Sequence, residues 1–237
     1  MDESEFLERY DPSAFERPSV AVDLLLMSVV DGAPAVLLAR RAEHPFRGRW
    51  ALPGGFVGPR ESLDEAARRV LGGKAHLADA YLEQLYTFGA VDRDPRTRVV
   101  SVAYLALLPA ARFVAAPELT LARLVVPAGG PVEARSAGGE LLPLAFDHAD
   151  MLATAVRRLR GKLDYSPLAF ALLSERFTLR ALQDVHEAIR GTRLNKPAFR
   201  RRMLDRGWLE PTGERETGAS FRPAELYRLR PDWSDPT

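Results

Sequence analysis

The sequence predicts an α+β chain built in two units, and three observations carry that prediction. Its first part holds several apolar, β-branched segments with few helical stretches between them, which argues against repeated strand–helix–strand units. After residue 166 the pattern changes to two capped helices followed by two short strands around a polar loop. The charge changes with it: residues 1–150 carry 16 Lys+Arg against 21 Asp+Glu, and residues 151–237 carry 17 against 11. We therefore expect one unit over residues 1–160 and a second over residues 161–237.

Residues 18–30 (PSVAVDLLLMSVV) read as a buried strand, and DGAP supplies the turn into a second strand, AVLLARR. Residues 85–89 and 99–108 (VVSVAYLALL) read as two more strands around the polar loop DRDPRTR. Residues 127–139 are loop-like, residues 140–144 are expected as a last strand, and residues 150–159 as a helix with Leu152, Val156 and Leu159 on one side. Residues 161–166 (GKLDYS) form the expected junction, too short for a long flexible tether, and residues 167–173 a short helix. Thr178 can cap a helix over 179–190, with Leu182, Val185 and Ile189 as its apolar stripe and Gly191 at its end. Asn195 can cap a second over 196–206, with Phe199 and Met203 inward and Gly207 closing it. Residues 208–211 and 226–229 then flank the loop TGERETGASFRPAE, which completes a winged helix-turn-helix.

Composition excludes several functions. The chain of 237 residues has no cysteine, so a disulfide framework, a thiol nucleophile and Cys-ligated zinc are out. No apolar run reaches the roughly 18–20 residues of a membrane helix, and the acidic start MDESEFLERYDP does not have the layout of a signal peptide. The expectation is a cytoplasmic protein with no membrane partner. Within residues 190–206 seven basic residues face one acid, a stripe that points to nucleic acid.

Residues 52–77, LPGGFVGPRESLDEAARRVLGGKAHL, resemble the Nudix box, whose pattern is G-x5-E-x7-R-E-U-x-E-E-x-G-U with U aliphatic. Gly55, Glu61 and Arg69 fit, and Leu71 and Leu77 keep the aliphatic positions. Val70, Gly73 and Lys74 stand where three glutamates belong, and His76 where a glycine does. In the family those glutamates share one helix face and hold divalent cations that bind pyrophosphate and activate water. Ser62 and Glu65 keep a capping box, so the helix still starts. Gly72 and Gly73, each costing roughly 1 kcal/mol relative to Ala, are expected to weaken or end it. Lys74 puts an ammonium where a metal-bound phosphate would sit, and a lysine can contact phosphate oxygens directly.

Beyond the box, YDPSAFERPSVAVD, RWALPGGFV, YLEQLYTFG, RDPRTRVVSVAY, LAFDH, FTLRALQDVHEAIRG and NKPAFRRRMLDRGWLEPTG make the chain similar, over nearly its whole length, to the Nudix-related transcriptional regulators (NrtR). The resemblance implies a Nudix-like α/β/α sandwich that senses ADP-ribose or a related nucleotide as effector, with no catalytic residues, no metal and no required cofactor. It also implies a winged helix-turn-helix that binds double-stranded operator DNA as a homodimer, as a repressor. The expected ligand contacts are Arg40, Trp50, Glu61, Arg69, Lys74, Phe88, Arg93, Arg96 and Arg98. The expected DNA contacts are Thr178, Arg193, Asn195, Lys196, Arg200, Arg201, Arg202, Arg206, Arg215 and Arg222. Two alternatives stand beside this reading. One is an active Nudix nucleotide-diphosphate hydrolase with an accessory basic domain, its metal held by Glu61 and acids outside the box. The other is a nucleotide-controlled RNA-binding or scaffold protein.

Overall fold

The computed structural model of the chain describes residues 2–75, 77, 80–115, 118–127, 130–217 and 223–231. Its elements are α1 (Glu3–Arg9), β1 (Ser19–Val30), β2 (Ala33–Arg40), β3 (Trp50–Ala51), β4 (Gly54–Phe56), α2 (Leu63–Ala75), β5 (Tyr81–Phe88), β6 (Val99–Leu107), β7 (Leu119–Val125), β8 (Glu133–Arg135), α3 (His148–Lys162), β9 (Phe177–Thr178), α4 (Leu179–Arg190), α5 (Lys196–Asp205), β10 (Leu209–Arg215) and β11 (Glu225–Leu229). A 3-10 turn, Pro167–Leu172, takes the place of the expected short helix after α3. Among the described residues no helix is long and apolar enough to cross a membrane.

The mixed sheet runs β5-β6-β1-β2-β7-β8, with β4 paired to β1 and β3 to β2. Its centre is β1, parallel to β6 in register from Ser19↔Val99 to Met27↔Leu107 and antiparallel to β2 through the Asp31-Gly32 turn. Both turn residues have positive φ, as a two-residue hairpin of this hand requires. Period-two alternation splits β1 between two cores. Val22, Leu24 and Leu26 pack with Ala66, Ala67, Val70 and Leu71 of α2. Leu25 and Met27 face the other way, onto Met151, Leu152, Val156 and Leu159 of α3. The result is the expected sandwich of helix, sheet and helix.

Two expectations need correction. Residues 140–144 form isolated bridges at Leu141 and Leu144, not a strand; the sheet instead ends in β7 and β8, where Ala122, Leu124 and Ala134 are buried on the α3 side. Gly72 and Gly73 do not end α2, which continues to Ala75. Tertiary anchoring outweighs their propensity: Val70, Leu71 and Ala75 are buried around them, and the Lys74 ammonium donates to the Gly54 carbonyl.

The second unit follows the sequence closely. Thr178 caps α4, its hydroxyl accepting from the Ala181 N–H at 3.1 Å, and Gly191 at φ 72° ends it. Asn195 caps α5 through the Ala198 N–H at 3.0 Å, and Phe199 and Met203 are buried. Glu187 staples the turn between them, accepting from the Leu194 N–H at 2.9 Å and the Gln183 amide at 2.7 Å; these donors hold its carboxyl down at about 2. The sheet β10-β11-β9 closes the unit. Its core continues the α3-side core without a break: Leu182, Val185 and Ile189 belong to the same cluster as Leu25, Leu38 and Leu152.

Two measurements follow from this packing. A Cβ at Gly72 or Gly73 meets nothing within 4 Å, so changing both to Ala stabilises the chain by about 1–2 kcal/mol in urea titration; a loss of stability would show that α2 does not run through them. His186 is 3% exposed and stands edge-on to Phe199 at 5.0 Å. Burial, then the Arg190, Arg202 and Arg206 guanidiniums, push it down to about 3, while Asp164 pulls weakly the other way. The unfolded chain takes that proton near pH 6.5 and the folded chain does not, so stability falls as pH drops below about 6.5. The slope is up to about 1.4 kcal/mol per pH unit for each excluded proton. Urea titrations at pH 7 and pH 5 should show a flatter decline in His186→Leu; an unchanged slope would place the proton uptake elsewhere.

Candidate functional site

A cleft of about 320 Å³ opens where β1, β2 and β4 meet the loop between β5 and β6 and the start of α3. Its floor is Asp23, the one acid in the apolar run of β1 and only 8% exposed. Ser101 on β6 donates to Asp23 Oδ2 at 2.5 Å, and the Arg93 guanidinium lies 3.7 Å from the same oxygen. Gly54 lies against Asp23 so closely that a Cβ there would meet Oδ1 at 2.2 Å; only glycine permits that approach.

One wall is set by residues 143–148. Trp50 N–H donates to the Pro143 carbonyl and its own carbonyl accepts from Ala145, which brings Phe146 and His148 to the cleft and sets Asp147 behind its lining. Asp147 accepts two hydrogen bonds from Arg93, at 2.9 and 2.7 Å. His148 Nδ1 accepts from the Leu52 N–H at 3.0 Å, so its proton sits on Nε2, which is 3.8 Å from Asp23 Oδ1. Burial lowers the His148 pKa more than Asp23 and Asp147 raise it, which keeps the ring neutral. Phe146 and Phe46, both at positive φ, meet edge to face at 4.9 Å, and Arg41 lies over Phe146 at 4.8 Å. Opposite them Arg96 is held bidentately by Asp94 and lies over Phe56 at 5.8 Å.

Of the residues singled out from sequence, Arg40, Lys74, Arg93 and Arg96 line this cleft. Arg93 is clamped between two carboxylates, whereas the Arg96 side chain is 46% exposed. The other expected contacts are not among the lining residues. Trp50 and Phe88 pack against the α3-side core, and Arg98 donates to the Ala90 carbonyl. Glu61 accepts from Arg69 and from the Gly58 N–H, and these two donors hold its carboxyl at about 2. Sequence reading missed Asp23, Arg41, Phe56, Phe146 and His148. Two signals were available: a lone carboxylate inside an apolar strand, and the FDH of LAFDH.

The residues present do not fit a divalent cation. Asp64 accepts from the Tyr104 hydroxyl at 2.6 Å, Glu65 closes the capping box with Ser62, and Glu61 is taken by Arg69. Val70 is buried in the core, His76 lies outside the described residues, and Lys74 aims its ammonium at the Gly54 carbonyl. Among the described residues no group of three acids or imidazoles is placed to hold a metal ion. Five basic side chains against two carboxylates line the cleft, a balance that suits an anionic ligand.

The second unit carries a separate basic face. A depression of about 350 Å³ between α4, α5 and the β10–β11 hairpin is lined by Thr178, Arg180, Gln183, Lys196, Arg200 and Arg215, among others. Lys196, Arg200, Arg201 and Arg202 are exposed along α5, and Arg202 lies over Phe199 at 5.6 Å. Arg193 is 85% exposed and pairs with Glu187 at 2.9 Å. Thr178 and Asn195 spend their side chains on helix caps. Arg206 is half-buried, donating to the Asp164 carbonyl and lying over Trp208 at 4.5 Å. Arg215 donates to the Pro223 carbonyl at 3.0 Å, and Arg222 lies outside the described residues.

Comparison with known proteins agrees with both halves. Residues 17–128 match the NUDIX domain and residues 169–229 the NrtR DNA-binding winged helix domain. The chain is 37% identical over 229 residues to the ADPR responsive transcriptional repressor NtrR of Acinetobacter baylyi, covering 96% of this chain and 88% of that one. It is also similar to the crystal structure of Shewanella oneidensis NrtR complexed with a 27mer DNA, at 36% identity and TM-score 0.75 over 90% of this chain and 94% of that one. The NUDIX domain of the same Shewanella protein, crystallised with ADP ribose, matches at 35% identity and TM-score 0.52, over 67% of this chain and 99% of that one. A basic helix-turn-helix packed on a degenerate Nudix sandwich, with relatives matched across nearly its whole length, places this chain in the NrtR family of Nudix-related transcriptional regulators.

Proposed function

We propose that this protein is a transcriptional repressor that reads operator DNA with residues 161–237, as a homodimer in the cytoplasm, and senses ADP-ribose or a related nucleotide with residues 1–160. The observation that carries the reading is Lys74 beside Gly54. An ammonium stands at the mouth of the cleft where hydrolysis would need carboxylates and metal. It binds a diphosphate as a point charge and moves no proton, so the same cleft holds the nucleotide without cutting it. Arg96 and Arg40 add charge for the diphosphate. Phe56 and Phe146 replace Trp50 and Phe88 as the aromatic faces open to a base. The relatives named for ADP-ribose response and for a DNA complex support both halves.

On the DNA side, α5 enters the major groove from its N-terminal end. Lys196, Arg200 and Arg201 neutralise phosphates, and one or two of these side chains read guanine edges. The β10–β11 wing carries Arg215 toward the neighbouring backbone.

Calorimetry without magnesium should show saturable ADP-ribose binding that Lys74→Glu weakens at least about tenfold, a loss that one charge-assisted phosphate contact explains. Unchanged affinity in that variant removes Lys74 from the site. Turnover with magnesium near an ordinary enzyme rate, roughly 1 s⁻¹, would favour the hydrolase reading. Arg200→Ala and Arg201→Ala should each weaken duplex binding and lower the salt slope by about 1; intact binding in both would place the DNA contact elsewhere.

A further inference from the structure

The first seventeen residues have no role in either site. Helix α1 is seven residues long and buries none of them, and every described residue from 2 to 18 is exposed. Yet Phe6, Leu7, Tyr10 and Phe15 are 52%, 62%, 45% and 63% exposed. The three rings run in a row, with centroids 5.8 and 6.5 Å apart. A helix this short is not stable alone in water, and four adjacent large apolar side chains mark a surface meant to be covered.

The covering surface needs to be apolar and basic. Residues 2–17 carry six acids and two arginines, which repels DNA and anionic membranes. An apolar groove of about 530 Å³ lies between β5, the 3-10 turn Pro167–Leu172 and β11, lined by Leu168, Phe170, Leu173, Phe177 and Leu229. Past Tyr81 and Ala171 it continues into a depression that carries Arg68 and Arg112. Arg228, paired with Glu210, lines the other side, with Glu175 as the one acid among the lining residues, so the excess positive charge lies at the Arg68 and Arg112 end. Acidic arm and basic-rimmed groove are complementary in charge and in apolar character. We propose that α1 is a docking arm that seats Phe6, Leu7 and Tyr10 in this groove of a second copy of the chain. Two copies exchanging arms fill both grooves and close the assembly at two. The groove lies where the sheet meets the second unit, so the exchanged arms bridge the sensor–reader junction of the partner. The arm rests on the homodimer of the proposed function and adds where it is held: a wild-type monomer would count against both, whereas a dimer that persists in the arm variant overturns the arm alone.

The chain has no cysteine, which makes the test clean. Arg9→Cys protein and Ser174→Cys protein, both substitutions at exposed positions, are mixed and treated with a short cysteine-specific bismaleimide. A covalent dimer of one of each is expected. No crosslink between the two proteins, or crosslinks only between chains bearing the same substitution, would overturn the proposal. In parallel, sedimentation of the full chain should show a dimer whose dissociation constant rises about a hundredfold or more in Phe6→Ser/Tyr10→Ser. The thermal midpoint of that variant at low concentration should match that of monomeric wild type, since neither side chain is buried in the monomer. A wild-type monomer at tens of micromolar, or an unchanged dimer in the variant, contradicts the arm.

Discussion

The apolar core that joins the Nudix-like sheet to the helix-turn-helix is the constraint on which the rest of the structure depends. Leu25, Met27, Val36 and Leu38 of the sheet, Leu152 and Val156 of α3, and Leu182, Val185 and Ile189 of α4 form one continuous cluster. The hairpin turn at Gly32 sits beside Arg180, Asp184 and Ala188 of α4. Polar contacts close the same seam: Arg160 donates to the Ile189 carbonyl at 2.8 Å, and Arg190 pairs with Asp164. Close-packed interiors transmit displacement because they have few voids to absorb it. The β1–β2 hairpin, which carries Asp23 at the cleft and Gly32 beside α4, therefore joins the cleft to the helix-turn-helix through one rigid element.

Three residues of α2 depart from the Nudix box at its glutamate positions. Val70 gives its carboxylate position to the core, Gly73 leaves its position bare, and Lys74 supplies a cation of its own. The remaining acids are spent on structure: Glu61 on Arg69, Asp64 on Tyr104, Glu65 on the helix start. The Arg93–Asp147 pair and the neutral His148 then order the wall opposite. Catalysis needs groups that change partners during a reaction, whereas nearly every charged group here already has a fixed one. On the proposed reading this fixed network favours binding over turnover, because a preorganised pocket loses little on closing over its ligand.

Much of this was legible in the sequence, and the limits were physical. Caps are local, so Thr178, Asn195, Gly191 and the Ser62–Glu65 box could be read from neighbours three or four residues away. The apolar stripes of α3, α4 and α5 were legible from their period. Gly72–Gly73 misled because propensity is a weak prior that buried neighbours and a lysine anchor override. The cleft floor was hidden because it is assembled from afar: Ser101 reaches Asp23 across 78 positions and His148 reaches Leu52 across 96. Charge alone made Arg93 and Arg206 look like ligand and DNA contacts, yet both are held by partners that no spacing announces.

If the shared core couples the two sites, the coupling must be reciprocal: what the nucleotide does to operator affinity, operator DNA must do to nucleotide affinity. Titrating ADP-ribose into the protein with and without a saturating operator duplex measures that factor directly. Coupling through the core requires the two affinities to differ by about 5–150-fold, the range of 1–3 kcal/mol, and in the same ratio as operator affinity measured with and without ADP-ribose. Equal affinities in the two titrations would contradict it, leaving a DNA-binding protein whose sensor answers to something else.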